Sequence, residues 1–421
     1  MSVETVAALR LTLHGVLVGY VSGYSNGKNV FTLAPDYIAN TRRPTLTLSH
    51  TDPGAFSRQL ASKHPYITHH RLHPILSNLL PEGALRALVA QAMKVHPDSE
   101  FPLLGWLGLD LPGALVAAPA RADEIPDYAL GNHGKITPVT VDTPDHHSHF
   151  SLAGVQMKFS MRDRDGRYIT ADPAAPGDWI IKTPSTVHPF VPLNEYTCMQ
   201  LAKLAGVNIP EIRLIEMDKI DNLPAINLPS EPWAYGIRRY DRLPDNGRVH
   251  SEDFAQVLFA YAHDKYRNGR YEQIGRLLYT QTRHGQRDAA QMAVRLLVNI
   301  LLANGDAHLK NWSLVYPGGV NAELSPAYDI VATKAFIPAE SQYALNMADT
   351  KDWYVVSLEH FKRWAEGAGV PWGPVLAHLR HTMEAARALW PEALSNSVMP
   401  EEQQTMLRKH WKALHRDLRI A

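Results

Sequence analysis

Gly305-Asp306-Ala307-His308-Leu309-Lys310-Asn311 is the stretch on which the reading of the fold turns. It follows a long apolar segment, Met292 to Leu302. It precedes two apolar runs joined by Pro317-Gly318-Gly319, the second of which leads to Tyr328-Asp329. An acid and an amide therefore stand five positions apart on one loop, and a second acid follows a hairpin. Phosphoryl transfer needs that layout. One Asp takes or orients the proton of the attacking hydroxyl, Asn binds one Mg2+, and a second Asp binds the Mg2+ that bridges the nucleotide phosphates. The interval from Asp306 to Asn311 is that of the Asp-x-x-x-x-Asn in a kinase catalytic loop. Asp306 fits the base, and His308 fits a residue that shapes the loop or touches the nucleotide. Lys310 stands where a cation can neutralise phosphate charge. Taken singly, each of these is more often a cap or an ordinary loop residue. The ordered set carries the reading.

Composition sets the frame. The 421 residues suffice for two or three domains. A hydrophobic content of 45% and a charged content of 20% are those of an ordinary globular protein. Lys+Arg and Asp+Glu both number 42, so no global charge draws the chain onto nucleic acid or membrane. The single cysteine, Cys198, excludes a disulfide scaffold and reads as a small buried hydrophobe. No charged-then-apolar signal segment opens the chain and no apolar run is long enough to span a bilayer, so a cytoplasmic location is expected.

Outward from the loop, periodicity predicts an α+β chain. Short strands are expected at 11–21, 30–33 and 45–49, with Gly15 and Asn26-Gly27 at turns. A helix opens at Pro81-Glu82-Gly83, a second runs from Asp98, a plausible N-cap, to Gly108, and a strand follows at 114–118. A Pro-rich polar stretch follows, whose Asp145-His146-His147-Ser148-His149 reads as solvated linker rather than metal site; His64, His69, His70 and His73 are likewise not expected to form a metal site. Ser151 to Ser160 reads as strand, turn, strand; it is not a Walker loop, and its turn can still present backbone N–H groups to an anion. Trp179-Ile180-Ile181-Lys182 is a buried-type strand ending in a charge. Lys182 can serve as a point charge on the α/β-phosphates, with Glu195 of the helix 194–206 to orient it. Strands are expected at 211–216 and 234–240. Helices are expected at 252–263, 270–281, 287–303, 357–367, 373–389 and 401–419, the last with a basic face that is most simply a solvated one.

These motifs, in this order, resemble the HipA-type serine/threonine kinases, toxins of bacterial toxin–antitoxin pairs. Leu79-Leu80-Pro81-Glu82-Gly83 and Gly113-Ala114-Leu115 are similar to that family's N-terminal subdomain, and Ser151-Leu152-Ala153-Gly154-Val155-Gln156-Met157-Lys158 to its phosphate loop. Trp179 to Lys182 and Asn194-Glu195-Tyr196 resemble the ATP-lysine strand and its helix. Arg239-Tyr240-Asp241-Arg242 looks like the hinge, with His250-Ser251-Glu252-Asp253-Phe254 beside it. Asn304 to Ser313 and Ala327-Tyr328-Asp329-Ile330 resemble the catalytic and metal loops. Met157 and Arg238 depart from the pattern, which more often has an acidic residue at the first position and Glu at the second.

The resemblance implies a bilobal protein-kinase-like α+β fold. Residues 1–120 form the N-terminal subdomain and 121–148 a linker. Residues 149–246 form an N-lobe, and 247–421 a mainly helical C-lobe. It implies Asp306 as catalytic base and Asn311 and Asp329 as Mg2+ ligands. It implies ATP contacts from Ala153, Gly154, Val155, Gln156, Met157 and Lys158, from Lys182, from Arg238, Arg239 and Tyr240 around the adenine, and from His308 and Tyr328. Ser151 falls where family members phosphorylate themselves. Implied partners are ATP, a protein substrate (an aminoacyl-tRNA synthetase is one candidate), and a small helix-turn-helix antitoxin through which operator DNA is reached. No membrane is implied. Two rivals remain: a small-molecule phosphotransferase using the same loop, and a catalytically idle co-repressor.

Overall fold

Alternating β-formers interrupted by tight turns build the first sheet. A computed structural model describes residues 4–51, 65–130, 136–141, 157–170, 177–224, 227–244, 247–267 and 269–420. Glu4–Leu13, Val16–Tyr24 and Lys28–Leu33 form a meander. At its first turn His14 and Gly15 both take positive φ (49° and 76°), the backbone that suits strand twist. Tyr66–His69 and Leu115–Pro119 pair at its two edges, and Ile136–Val139 adds in parallel to the start of the first strand. Leu9, Leu11 and Leu13 share a core with Leu103 and Leu104 of the helix Glu100–Leu107.

The second sheet is ordered Ile212–Glu216, Trp233–Arg238, Trp179–Lys182, Lys158–Arg164, Arg167–Thr170, Ile220–Asp221. Across its middle, Lys158 is the register partner of Lys182, so both side chains emerge on one face. The helix Val191–Leu204 packs on the strands Ile212–Glu216 and Trp233–Arg238. It starts earlier than periodicity predicts, because Pro192 fits the first turn, where the missing N–H costs nothing.

Five helices share one core in the last part of the chain: Tyr271–Gln281, Gly285–Leu301, Leu358–Ala368, Trp372–Ser395 and Glu401–Ala413. Ser313–Tyr316 and Glu323–Leu324 form the hairpin around Pro317-Gly318-Gly319, and His250–Asp253 pairs on the other edge. The architecture is an α+β kinase-like fold. A small sheet with one packed helix faces a mainly helical lobe, and the amino-terminal subdomain leans on both.

Several expected elements differ, each for a physical reason. The helix read at 252–263 is instead the strand His250–Asp253 and a four-residue helix, Phe254–Val257. Asp253 switches the chain between them with a capping box: its carboxylate accepts from Gln256 N at 2.8 Å, and the Gln256 side chain accepts from Asp253 N at 2.9 Å. The strand read at 45–49 does not form. Its donors go to the C-lobe, Thr45 N to Gly319 O at 2.8 Å and Leu48 N to Glu252 Oε1 at 2.7 Å. Asp98 does not cap its helix; Ser99 takes the cap position and Asp98 pairs with Arg71 at 3.1 Å. Pro391 lies inside a helix, where burial of Trp390 and Leu394 carries the helix past the lost hydrogen bond. The hairpin Gln342–Met347 with Thr350–Asp352 was not anticipated. Among the described residues no helix is long and apolar enough to cross a membrane.

Candidate active site

The helix Gly285–Leu301 is apolar on its buried side except at Asp288, Arg295 and Asn299, and its end sets the loop that follows. Ala303 takes φ 53°, a left-handed turn that stops the helix. Asn304 then fixes three segments. Its Nδ2 donates to Asn299 Oδ1 at 2.7 Å and to the Asp329 carbonyl at 3.3 Å, and its Oδ1 accepts from Asp306 N at 3.0 Å. A Cβ at Gly305 would fall 2.1 Å from Glu340 Oε1, so a larger residue there would have to shift the Glu340 carboxylate that accepts from the Thr333 hydroxyl.

Beyond Asp306 the loop is pinned from within. Asn311 Nδ2 donates to the Asp306 carbonyl at 2.8 Å, and Trp312 Nε1 and the Tyr271 hydroxyl donate to the Ala307 carbonyl at 3.1 and 2.9 Å. The Tyr328 hydroxyl holds the Lys310 carbonyl at 2.8 Å and bonds to Ser313 Oγ. The Asp306 carboxylate is half exposed, at 50%, and Oδ1 accepts from the Tyr266 hydroxyl. His308 Nε2 is 3.9 Å from Asp306 Oδ1. Burial pushes the His308 imidazole down to about 4, so it is neutral at pH 7 and shapes the loop without adding charge.

Lys182 joins the two lobes. Its ammonium lies 2.6 Å from Glu195 Oε1 and also contacts Asp329 Oδ1. Burial opposes the Lys182 charge, but the Asp329 and Glu195 carboxylates overcome it and hold the ammonium protonated above its ordinary range. Burial likewise raises the Asp329 carboxyl, and Lys182 and Lys158 more than reverse this, leaving it well below the usual carboxylate range. Glu195 is the most deeply buried of the three, and burial pushes it up to about 7. The structure therefore brings Lys182, Glu195 and Asp329 together, and Asn304 ties Asp329 to the loop of Asp306 and Asn311.

Ser151, Ala153, Gly154, Val155 and Gln156 lie outside the described residues. The Met157 side chain is buried in the sheet core with Phe159 and Ile181, and its carbonyl accepts from Thr183 N at 2.9 Å. An apolar residue at this position serves packing. Arg238 is exposed and reaches Glu211 at 3.5 Å. The Arg239 side chain is buried in an ionic knot, 3.2 Å from Asp110 and 2.8 Å from Asp241. Tyr240 stacks on Tyr328, with centroids 5.9 Å apart. Lys310 points at the amino-terminal subdomain, 3.0 Å from Glu82 and 2.9 Å from the Asn78 carbonyl, instead of toward a phosphate.

Three site residues escaped the reading of the sequence. Asn299 left a signal, being the polar break in an apolar helix, and Asn304 sat in the quoted motif without a role. Tyr266 left none, because only folding brings it to Asp306.

Comparison with known proteins agrees with this geometry. The HipA N-terminal domain family matches residues 9–118, and the HipA-like C-terminal domain family matches residues 150–390. The chain is 37% identical to Y4dM of Sinorhizobium fredii over 400 residues, 94% of each chain. It is 25% identical to the serine/threonine-protein kinase toxin HipA of Shewanella oneidensis over 366 residues, 79% of this chain and 78% of that one. HipA in the solved complex of the Shewanella oneidensis MR-1 HipA, HipB and operator DNA superposes with a TM-score of 0.70 at 20% identity, covering 96% of this chain and 97% of that one. That match shows the fold. With both domain families matched in order and a lysine bridging two carboxylates between the lobes, the chain belongs to the HipA family of kinases.

Proposed function

We propose that this chain is an ATP- and Mg2+-dependent serine/threonine protein kinase of the toxin type. The observation that carries the proposal is the Lys182 ammonium held between Glu195 and Asp329, tied through Asn304 to the loop of Asp306 and Asn311.

The chain's residues divide the work. Lys182, kept charged and oriented by Glu195, grips the α/β-phosphates. Lys158, on the same sheet face, adds positive charge beside it. The half-exposed Asp306 takes the proton of an acceptor hydroxyl. Asn311 donates an amide hydrogen to the Asp306 carbonyl, which leaves Oδ1 as a neutral oxygen ligand. With the ionised Asp329 it makes a hard oxygen pair of the kind Mg2+ uses when phosphates and waters complete its shell. Bound Mg2+ neutralises charge on the phosphates. Tyr328 and Tyr240 form an aromatic wall, and Tyr328 also sets the loop.

The Shewanella complex of HipA with HipB and operator DNA supports a DNA-binding protein partner. On this reading a small DNA-binding antitoxin neutralises the kinase in the cytoplasm and brings it to operator DNA. The substrate is a protein of translation, with an aminoacyl-tRNA synthetase as one candidate. Phosphate on Ser151 would repel the nucleotide phosphates and switch the enzyme off.

Incubation of the purified chain with labelled ATP and Mg2+ tests this reading. Label on Ser151, absent in Asp306→Asn, is expected. Label found only on added small molecules supports the phosphotransferase instead, and no turnover at all supports the idle co-repressor.

A further inference from the structure

If Asp306 is the base, the atom that matters most is whichever hydroxyl hydrogen-bonds to it, because a base must stand within hydrogen-bond reach of the proton it abstracts. In this structure that hydroxyl belongs to the chain itself. The Tyr266 O–H donates to Asp306 Oδ1.

The contact is built rather than incidental. The Tyr266 ring stands edge-on to His308, with centroids 5.1 Å apart and planes at 79°. The residue before it is anchored twice: Lys265 Nζ lies 3.0 Å from Glu82 Oε2, and the Lys265 carbonyl accepts from Leu309 N at 3.3 Å. Tyr266 thus rides on a segment fastened to the catalytic loop and to the amino-terminal subdomain. Burial and the Asp306 charge push its phenol far above the ordinary tyrosine range, so it remains a donor at every working pH. Both Tyr266 and the Asp306 side chain stay reachable, at 42% and 50% exposure, so another hydroxyl can replace the phenol.

We infer that Tyr266 is the resident occupant of the acceptor-hydroxyl subsite, which a substrate serine or threonine must displace from Asp306 before transfer. The inference rests on the reading of Asp306 as base. Its consequence is selectivity. Water and loosely held hydroxyls compete poorly with a tethered phenol, while a docked protein substrate displaces it with binding energy gained elsewhere.

The test uses the full chain carrying Ser151→Ala as the parent, so that phosphate on Ser151 cannot switch it off, with MgATP, water as the probe acceptor and ADP release as the readout. Tyr266→Phe keeps the ring packing against His308 and removes only the donor. It is expected to hydrolyse ATP about tenfold faster, the factor that ~1.4 kcal/mol of lost competition represents, with the KM for ATP unchanged. An unchanged rate overturns the inference. So does a lower kcat, which would make Tyr266 a residue that orients the base. Asp306→Asn separates the two levels: turnover that survives it sinks the reading of the base, whereas turnover lost in Asp306→Asn and unaltered in Tyr266→Phe sinks the occupant alone. No turnover in the parent and Tyr266→Phe alike overturns both.

Discussion

Glu82 Oε1 stands 3.0 Å from the Lys310 ammonium, which places a carboxylate of the amino-terminal subdomain against the loop that holds Asp306 and Asn311. Its other oxygen is 3.0 Å from Lys265. The subdomain is therefore part of the active-site wall.

That relationship predicts a pH dependence. Burial raises the Glu82 carboxyl, but Lys310 and Lys265 more than offset this and hold it down, to about 2 against an ordinary 4.5. A depressed carboxyl stabilises the fold above its unfolded value and loses that contribution as pH falls toward the folded one. Glu82→Gln is expected to cost about 1 kcal/mol at pH 7, the scale of a partly exposed ion pair. Urea unfolding of parent and variant at pH 7 and pH 3 checks it: the gap between them should narrow at pH 3.

Lys182→Met removes the one cation between Glu195 and Asp329. Two carboxylates then face each other with only the more distant Lys158 to offset them, and breaking a buried pair in this way costs about 3 kcal/mol. Phosphate transfer should fall by about a hundredfold or more, because the charge on the phosphates goes unanswered. Urea unfolding and labelled-ATP transfer measure the two effects separately. A variant as stable and active as the parent would contradict the bridging role.

Asn304→Ala cuts the ties from the loop to Asn299, Asp306 and the Asp329 carbonyl at once. Expected are a destabilisation of about 1–3 kcal/mol from the unpaired groups and a fall in kcat of about ten- to a hundredfold from a misplaced base. Comparison with Asn304→Asp, which retains the acceptor for Asp306 N, should recover part of the rate.

Cys198 is completely buried, and burial pushes its thiol up to about 12. A thiol held protonated and out of reach is inert. Reaction with a disulfide reagent is expected only at the rate of unfolding, and mild oxidants should leave transfer unaffected. Fast labelling of the native chain would show an opening around the helix Val191–Leu204.

Local chemistry was readable from the sequence wherever one segment settles it. Trp179–Lys182 is a strand by its own composition, and the end of the helix before Asp306 follows from apolar spacing and Asn-Gly. The reading ran out where a distant partner decides. Segment 45–49 has strand residues, yet its N–H groups are taken by Gly319 and Glu252. Residues 252–263 have helical spacing, yet Ser313–Tyr316 claims the first of them as a strand. Arg239 reads as a hinge residue by its motif, and nothing in the sequence shows that Asp110, more than a hundred positions away, meets its side chain. Periodicity reports which face is apolar and is silent about which charges meet.

The knot of Arg239 and Arg242 with Asp110 and Asp241 has one more consequence. It fastens the amino-terminal subdomain to the connector between the lobes, while Thr45 and Leu48 fasten the same subdomain to the helical lobe. The subdomain is a splint across the joint. Any wide swing of one lobe against the other must first break buried ionic contacts or pull a backbone off Gly319. Relative motion of the lobes is therefore coupled to contacts that lie outside the loop of Asp306.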